Sequence, residues 1–371
     1  MPQNPYIYVI LLKVSLDAEN FLPIFFGQMN ESKYYIYKDA KEIAMSDMIK
    51  LRQRFCKDCD IPVNIFDEPY FSDRLKLFDF LYNSISKWDL FKSELAKYDS
   101  AMDYFADYSR IKDEAIETVR STEGFQLFTA YGINDFSIKN KGLPVNKIYN
   151  PENNGRVFLS IDIKKANFSA LREYRDDIFG GSDTWEAFIS RFTDNKHIIN
   201  SKYIRQVIMG NLNPKRQTAY EKVLMDKLLT NILHAKVISK ENVAAFLADE
   251  IIFDVTDLEN RREVIADIYK ISGQVPYMNT EAFSLHKIYG YGVDGYIKNV
   301  YSNVYLMDNA ARSIKVKCVD KDMMTFVARY LLKEPVTDSD RTFYCNGLLA
   351  KFEQVPEITT DLKFDNKIDG N

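Results

Sequence analysis

The stretch Val243-Ala-Ala-Phe-Leu-Ala248-Asp249-Glu250-Ile-Ile-Phe-Asp254-Val255 constrains this chain more than any other, because two short apolar runs enclose an adjacent pair of carboxylates. Apolar runs gain by leaving water, whereas an ionised carboxylate loses heavily unless it is paired or coordinated. Both demands are met when the runs become strands of a hairpin and the acids sit at its tip. The usual Gly or Asn turn signal is missing from this tip, so a helix over the same residues is the alternative.

A second run, Val157-Phe-Leu-Ser-Ile-Asp162-Ile163, reads as a buried strand that delivers one aspartate near its end. Lys164–Arg172 follows as a turn entering a helix. Upstream, Gly132, Gly142, Pro144, Pro151 and Gly155 lie among polar residues and mark 132–156 as a linker or long surface connection. Strands are expected at Tyr6–Val14 and Lys33–Lys38. Helical spacing appears over Ala40–Arg54, Phe71–Lys87 and Ile111–Arg120, interrupted at Asp60–Pro62. Short helices are expected at Trp185–Phe192 and Lys202–Met209, a longer one at Glu221–Leu233, and further ones at Arg262–Tyr269 and Met323–Leu332. The glycine-rich Tyr289–Lys298 stretch reads as a bend into a strand, without the spacing of a phosphate-cradling loop. The polar end from about 357 is expected to fray.

These elements predict an α+β chain. Residues 1–150 form a mixed region, strand-rich and then largely helical. Residues 151–300 form a domain with an antiparallel sheet and packed helices, and 301–371 an α/β extension.

The 371 residues, 46% hydrophobic, can bury a substantial core in more than one unit. Lys plus Arg number 49 against 53 Asp plus Glu, a net charge of −4. That balance argues against a protein that coats nucleic acid nonspecifically, while an enzyme can confine positive charge to a groove. Cys56, Cys59, Cys318 and Cys345 read as ordinary thiols, since Cys56-Lys-Asp-Cys59 is only half a zinc knuckle. His197, His234 and His286 form no ligand pattern. The early apolar run Tyr6–Leu12 is too short to span a bilayer, so no membrane partner and a cytoplasmic location are expected, the host cytoplasm if the gene is viral.

Nucleotidyl transfer uses two divalent ions about 3.5–4 Å apart to activate an attacking oxygen and stabilise a leaving one. Mg²⁺ requires hard oxygen ligands, so the minimal protein contribution is a pair of carboxylates from separate strands meeting at one edge of a sheet. Asp162 and Asp249 meet that description.

Ser160-Ile-Asp162-Ile-Lys-Lys-Ala-Asn167-Phe168-Ser-Ala-Leu-Arg172 resembles the first catalytic motif of template-dependent polymerases. Phe246-Leu-Ala248-Asp249-Glu250-Ile-Ile-Phe resembles the third motif of the DNA polymerase I-like family, with Ala248 where that family has histidine. Between them, Lys202-Tyr-Ile-Arg205-Gln206-Val-Ile-Met-Gly210 resembles the nucleotide-binding helix of polymerases. Arg205 matches the polymerase I-like lysine by its distance to Gly210, and Lys202 matches that of the polymerase B family. The resemblance covers roughly residues 157–255, and its spacing is closer to the reverse-transcriptase and polymerase B families.

The resemblance implies a polymerase-like palm in which Asp162, the Ile163 carbonyl, Asp249 and Glu250 hold Mg²⁺ or Mn²⁺. Asn167, with Phe168 beside it, falls where the family contacts the nucleotide sugar, although Glu or Tyr is usual there. Lys202, Arg205, Gln206 and Gly210 would take the nucleoside triphosphate, with Lys215, Arg216 and Arg172 as added phosphate contacts. The implied activity is a template-dependent DNA polymerase extending a primer 3′ hydroxyl. Its partners would be primer-template or single-stranded nucleic acid and a replication protein, and the helical 40–130 section would contact template or primer or close over the nucleotide. The alternatives are a template-independent or protein-primed nucleotidyltransferase, and a noncatalytic palm that binds nucleic acid or serves assembly.

Overall fold

The computed structural model describes residues 46–145, 148–301, 312–345 and 347–362, so the expected strands Tyr6–Val14 and Lys33–Lys38 lie outside the described residues. The first helix, α1, covers 46–59. The helical spacing over Phe71–Lys87 resolves into two helices, α2 (Tyr70–Tyr82) and α3 (Ser84–Leu95). Asn83 separates them with φ of 51°, a left-handed conformation that asparagine tolerates better than most residues. Its N–H donates to the Asp79 carbonyl at 2.8 Å, and the Asp79 carboxylate accepts from the Ile85 N–H at 2.8 Å. A continuous periodic pattern thus hides a corner made by one residue. Helix α4 (Ala101–Ser121) is longer than its apolar spacing suggests, and α5 (Glu123–Ala130) starts at Thr122, whose hydroxyl accepts from the Phe125 N–H. Among the described residues, the connection expected over 132–156 holds only short 3₁₀ turns.

Strand β1 (Val157–Ile163) leads into α6 (Ala166–Tyr174), then α7 (Trp185–Ile189), α8 (Lys196–Asn200), α9 (Lys202–Gly210) and the long α10 (Pro214–His234). The expected hairpin follows as β2 (Val243–Phe246) and β3 (Glu250–Asp254). Helix α11 (Arg261–Ser272) precedes β4 (Met278–Gly290), β5 (Val293–Tyr301) and β6 (Arg312–Lys317). The chain continues through α12 (Met324–Leu332) to the small hairpin β7 (Thr342–Cys345) and β8 (Leu348–Lys351).

The larger sheet has the order β2-β3-β1-β4-β5-β6, with every neighbouring pair antiparallel. Strand alternation splits β1 between two environments. Leu159, Ile161 and Ile163 face a core built with Leu228 and Leu229 of α10 and Val264, Ile265 and Ile268 of α11. On the opposite face Phe158 joins Ile252, Phe283, Leu285 and Tyr296. Ser160 and Asp162 share this second face by register. Each fully buried Leu, Ile or Phe contributes about 1.5–3 kcal/mol, so the helix-covered side, with the larger cluster, stabilises this sheet more than the other side does.

The chain divides into two compact units. One comprises residues up to Phe105 together with Lys321–Pro356, and the other Ala106–Asp320 together with residues from Glu357 onward. In the first unit Phe55, Phe71, Trp88, Phe91 and Tyr104 form one aromatic cluster with ring centroids 4.8–5.7 Å apart. In the second, Thr359 pairs by both backbone groups with Tyr289, so the polar end is ordered into the sheet through this point. The fraying expected from 357 therefore does not hold for the described residues. Among the described residues no helix is long and apolar enough to cross a membrane.

Candidate functional site

The site is built by strand register. On β1, Asp162 is the direct partner of Glu250 on β3 and of Asn279 on β4. Side chains of directly opposed residues leave the same face with Cβ atoms about 4.5–5.5 Å apart, so the register sets Asp162 and Glu250 side by side. Asp249 lies one residue further, exposed at the hairpin tip, and its carbonyl accepts from the Ile163 N–H at 2.9 Å. The Leu247-Ala248-Asp249 connection contains no residue of positive φ, which explains how the hairpin closes without Gly or Asn.

Each carboxylate has its own support. Asp162 Oδ1 accepts from the Asn279 amide at 2.9 Å, and Glu250 Oε1 accepts from the Ser160 hydroxyl at 2.5 Å. Burial pushes Asp162 above the usual carboxylate range; the Asn279 amide opposes this, the Glu281 charge adds to it, and Lys298 and Lys315 counter it. Burial likewise raises Glu250, against the Ser160 hydroxyl and Lys298 and with the charges of Asp162 and Asp249. Two desolvated carboxylates that repel each other are a donor pair for a hard cation. Among the described residues no group of three or more His, Cys, Asp or Glu side chains is gathered to hold a metal. Mg²⁺ is usually held by one or two carboxylates plus waters and substrate phosphates, and the Asp162–Glu250 pair fits that donor set.

Asp249 has a second neighbour that the sequence did not single out. Glu221 on α10 is only 4% exposed, and its Oε1 has no hydrogen-bond partner. Burial, with the Asp249 charge adding to it, pushes the Glu221 carboxyl up to about 7.

The basic residues separate into three environments. Helix α9 is capped by Ser201, whose hydroxyl accepts from the Ile204 N–H at 3.0 Å, and it buries Ile204, Ile208 and Met209. Lys202, Gln206 and Gly210 are exposed on its other side. The Lys202 charge acts on Lys317 of β6. Arg205 is half-buried; burial lowers its guanidinium and Glu186 opposes that. Glu186 is also the partner of Lys165, the left-handed residue that turns β1 into α6. A Cβ at Gly210 would meet nothing within 4 Å, so packing does not require glycine there. The corner after α9 is held by Gln217, whose amide donates to the carbonyls of Met209 and Leu212.

Lys215 is exposed at the start of α10. Arg216, placed by the sequence with the phosphate contacts, is 2% exposed: its guanidinium lies 4.2 Å from the Phe136 ring centroid and 5.1 Å from that of Phe128, and donates to the Gly132 carbonyl. It is turned into the fold. Arg172 pairs with Asp183. Asn167 sits half-buried in the first turn of α6, whereas Phe168 is buried 4.4 Å from the Phe179 ring and 6.2 Å from Trp185. The Phe168 ring therefore belongs to the core around α6 and α7 and is not presented at the surface.

Sequence inspection missed Asn279, Glu281, Lys298, Lys315 and Lys317. Burial works to raise Glu281, but Lys298 and Lys315 overcome it and hold the carboxyl below its usual range. The signal for the last two lysines was present: Ile314-Lys-Val-Lys317 alternates apolar and basic residues as a one-sided strand does. In the other unit, burial pushes both Cys56 and Cys59 up, Cys59 to about 12, which keeps them as neutral thiols. No protein-family model, curated protein or solved structure matches this chain.

Proposed function

We propose that the second unit is a palm-like nucleotidyltransferase core, acting as a template-dependent DNA polymerase. The observation that carries this is the pairing of Asp162 with Glu250 across β1 and β3, with Asp249 at the adjoining tip. Support also comes from the side of the sheet involved: helices cover the face carrying Leu159 and Ile161, and Asp162 and Glu250 leave the other face. When bound with a nucleoside triphosphate, Mg²⁺ supplies Lewis-acid polarisation of the α-phosphate and eases deprotonation of the attacking hydroxyl.

The chain's own residues do the rest. Asp162 and Glu250 would be the cation's oxygen donors, with Asp249 and the Ile163 carbonyl beside them. Asn279 and Ser160 fix the two carboxylates by the hydrogen bonds already described, so little ordering remains on binding. Lys202 and Arg205 project from α9 and neutralise the triphosphate as the primer 3′ hydroxyl attacks the α-phosphate and pyrophosphate leaves. Asn167, in the turn after Asp162, is the candidate for the nucleotide sugar.

The test is extension of a labelled primer with each nucleotide, with and without a complementary template, in Mg²⁺ and in EDTA. Template-directed, Mg²⁺-dependent extension is expected. Even second-shell changes at metal sites typically cost about 10–100-fold, so Asp162→Asn or Glu250→Gln should reduce extension by at least about 100-fold. Unselective addition without template would replace this function with terminal nucleotide transfer, and extension that survives both substitutions would remove the site.

A further inference from the structure

The face that carries Asp162 also carries a row of lysines for which nucleotidyl transfer itself supplies no role. On β6, Lys315 and Lys317 alternate with Ile314 and Val316, so they project from one face and stand about 7 Å apart along a strand rising about 3.4 Å per residue. That face is the carboxylate face. Lys315 Nζ lies 2.7 Å from Glu281 Oε2, and Glu281 is the strand partner of Ser160, two residues before Asp162. Beneath them Lys298 is buried, its ammonium 4.0 Å from the Phe283 ring centroid and paired with the same Glu281.

One carboxylate therefore serves two ammonium groups, and among the described residues Lys317 has no ion-pair partner. Partial burial of its ammonium and the charges of Lys298, Lys315 and Lys202 push Lys317 below the usual lysine range. Like charges crowded in this way favour an anion that completes them. Both β6 lysines keep side chains open to solvent, the Lys317 ammonium less so than its stem, and β6 is the last strand of the sheet order.

We infer that β6 is a phosphodiester rail on which Lys315 and Lys317 hold the backbone of a single-stranded nucleic acid leading to Asp162 and Glu250. The direction toward the carboxylates rests on the polymerase function proposed above; the binding itself does not. A row along a strand suits a linear polyanion, whereas a triphosphate is compact and is gripped by groups converging on one point. Within a duplex each strand carries one charge per about 3.4 Å of axis, and a single strand drawn out along a sheet spaces its phosphates more widely, so two lysines about 7 Å apart suit neighbouring to alternate phosphates.

The experiment is fluorescence anisotropy of labelled oligo(dT) on the full chain across a salt series, with displacement of a fluorescent nucleoside triphosphate measured in parallel. Lys315→Ala and Lys317→Ala should each weaken oligo(dT) binding roughly 5-fold at about 0.1 M salt and flatten the log–log salt slope by about 0.7. Lys317→Arg, which keeps the charge, should retain the parent slope, and Asp162→Asn should retain oligo(dT) binding. Unchanged affinity and slope in the two alanine variants would overturn the rail, as would a loss confined to the triphosphate. Lysine-dependent binding without Mg²⁺-dependent synthesis would leave the rail standing and remove only the polymerase function.

Discussion

Residues of the same type have opposite fates in this chain, and only their surroundings separate them. Arg205 and Arg216 are both basic residues near the start of a helix, yet Arg216 is enclosed by Phe128 and Phe136 while Arg205 remains half-buried beside Glu186. Nothing in the local pattern around Arg216 announces two rings some eighty positions earlier. Glu221 is the acidic counterpart, raised from 4.5 to about 7 by burial, with Asp249 adding to it. The folded chain then holds a proton that the unfolded chain has already released, so stability falls as pH rises from about 4.5 through 7 and stays lower above it. Glu221→Gln should remove this fall and make the protein about 3 kcal/mol more stable at alkaline pH, with little change near pH 4. Urea unfolding of parent and variant across pH checks it; identical slopes would exonerate Glu221.

Elements were legible where one face is apolar and the other polar. Strand β1, the β2–β3 hairpin and helices α9, α10 and α11 all fall within or around the stretches read from periodicity, because burial of one face fixes each of them locally. The corner at Asn83 was not legible, since a left-handed residue leaves the apolar spacing on both sides intact. Most of β4 was missed because it is buried on both faces over its middle and lacks simple alternation. Helix α9 offers a direct test. Gly210 ends it with no neighbour within reach of a Cβ and no positive φ, so Gly210→Ala should stabilise the protein by about 0.5–1 kcal/mol. Thermal melting measures the gain. If the same variant weakens nucleotide binding, a ligand and not the protein requires the glycine.

For the molecule as a whole, the two units interleave in sequence, since Lys321–Pro356 belongs with residues before 106 and the chain then returns to the sheet at Thr359. A ligand bound by one unit is felt as stability through mass action. If Asp162 and Glu250 take Mg²⁺, saturation at 100 times the dissociation constant should stabilise the folded state by about 2.7 kcal/mol. Because burial holds both carboxyls above their usual range, protons compete with the cation and the gain should shrink as pH falls. Melting with Mg²⁺ and with EDTA, for the parent and for Asp162→Asn with Glu250→Gln, decides this: an equal Mg²⁺ shift in both would place the cation elsewhere. The sequence by itself indicated that Asp162, Asp249 and Glu250 border apolar, β-prone runs, because an ionised carboxylate gains by reaching water or a partner at the margin of a buried run. Only the tertiary structure decided that Glu250 is the partner of Asp162, that Asn279 and Ser160 support them, and that β6 sets its lysines on the same face. Those outcomes depend on strand register, which is settled by the summed packing of distant segments and leaves no local trace in the chain.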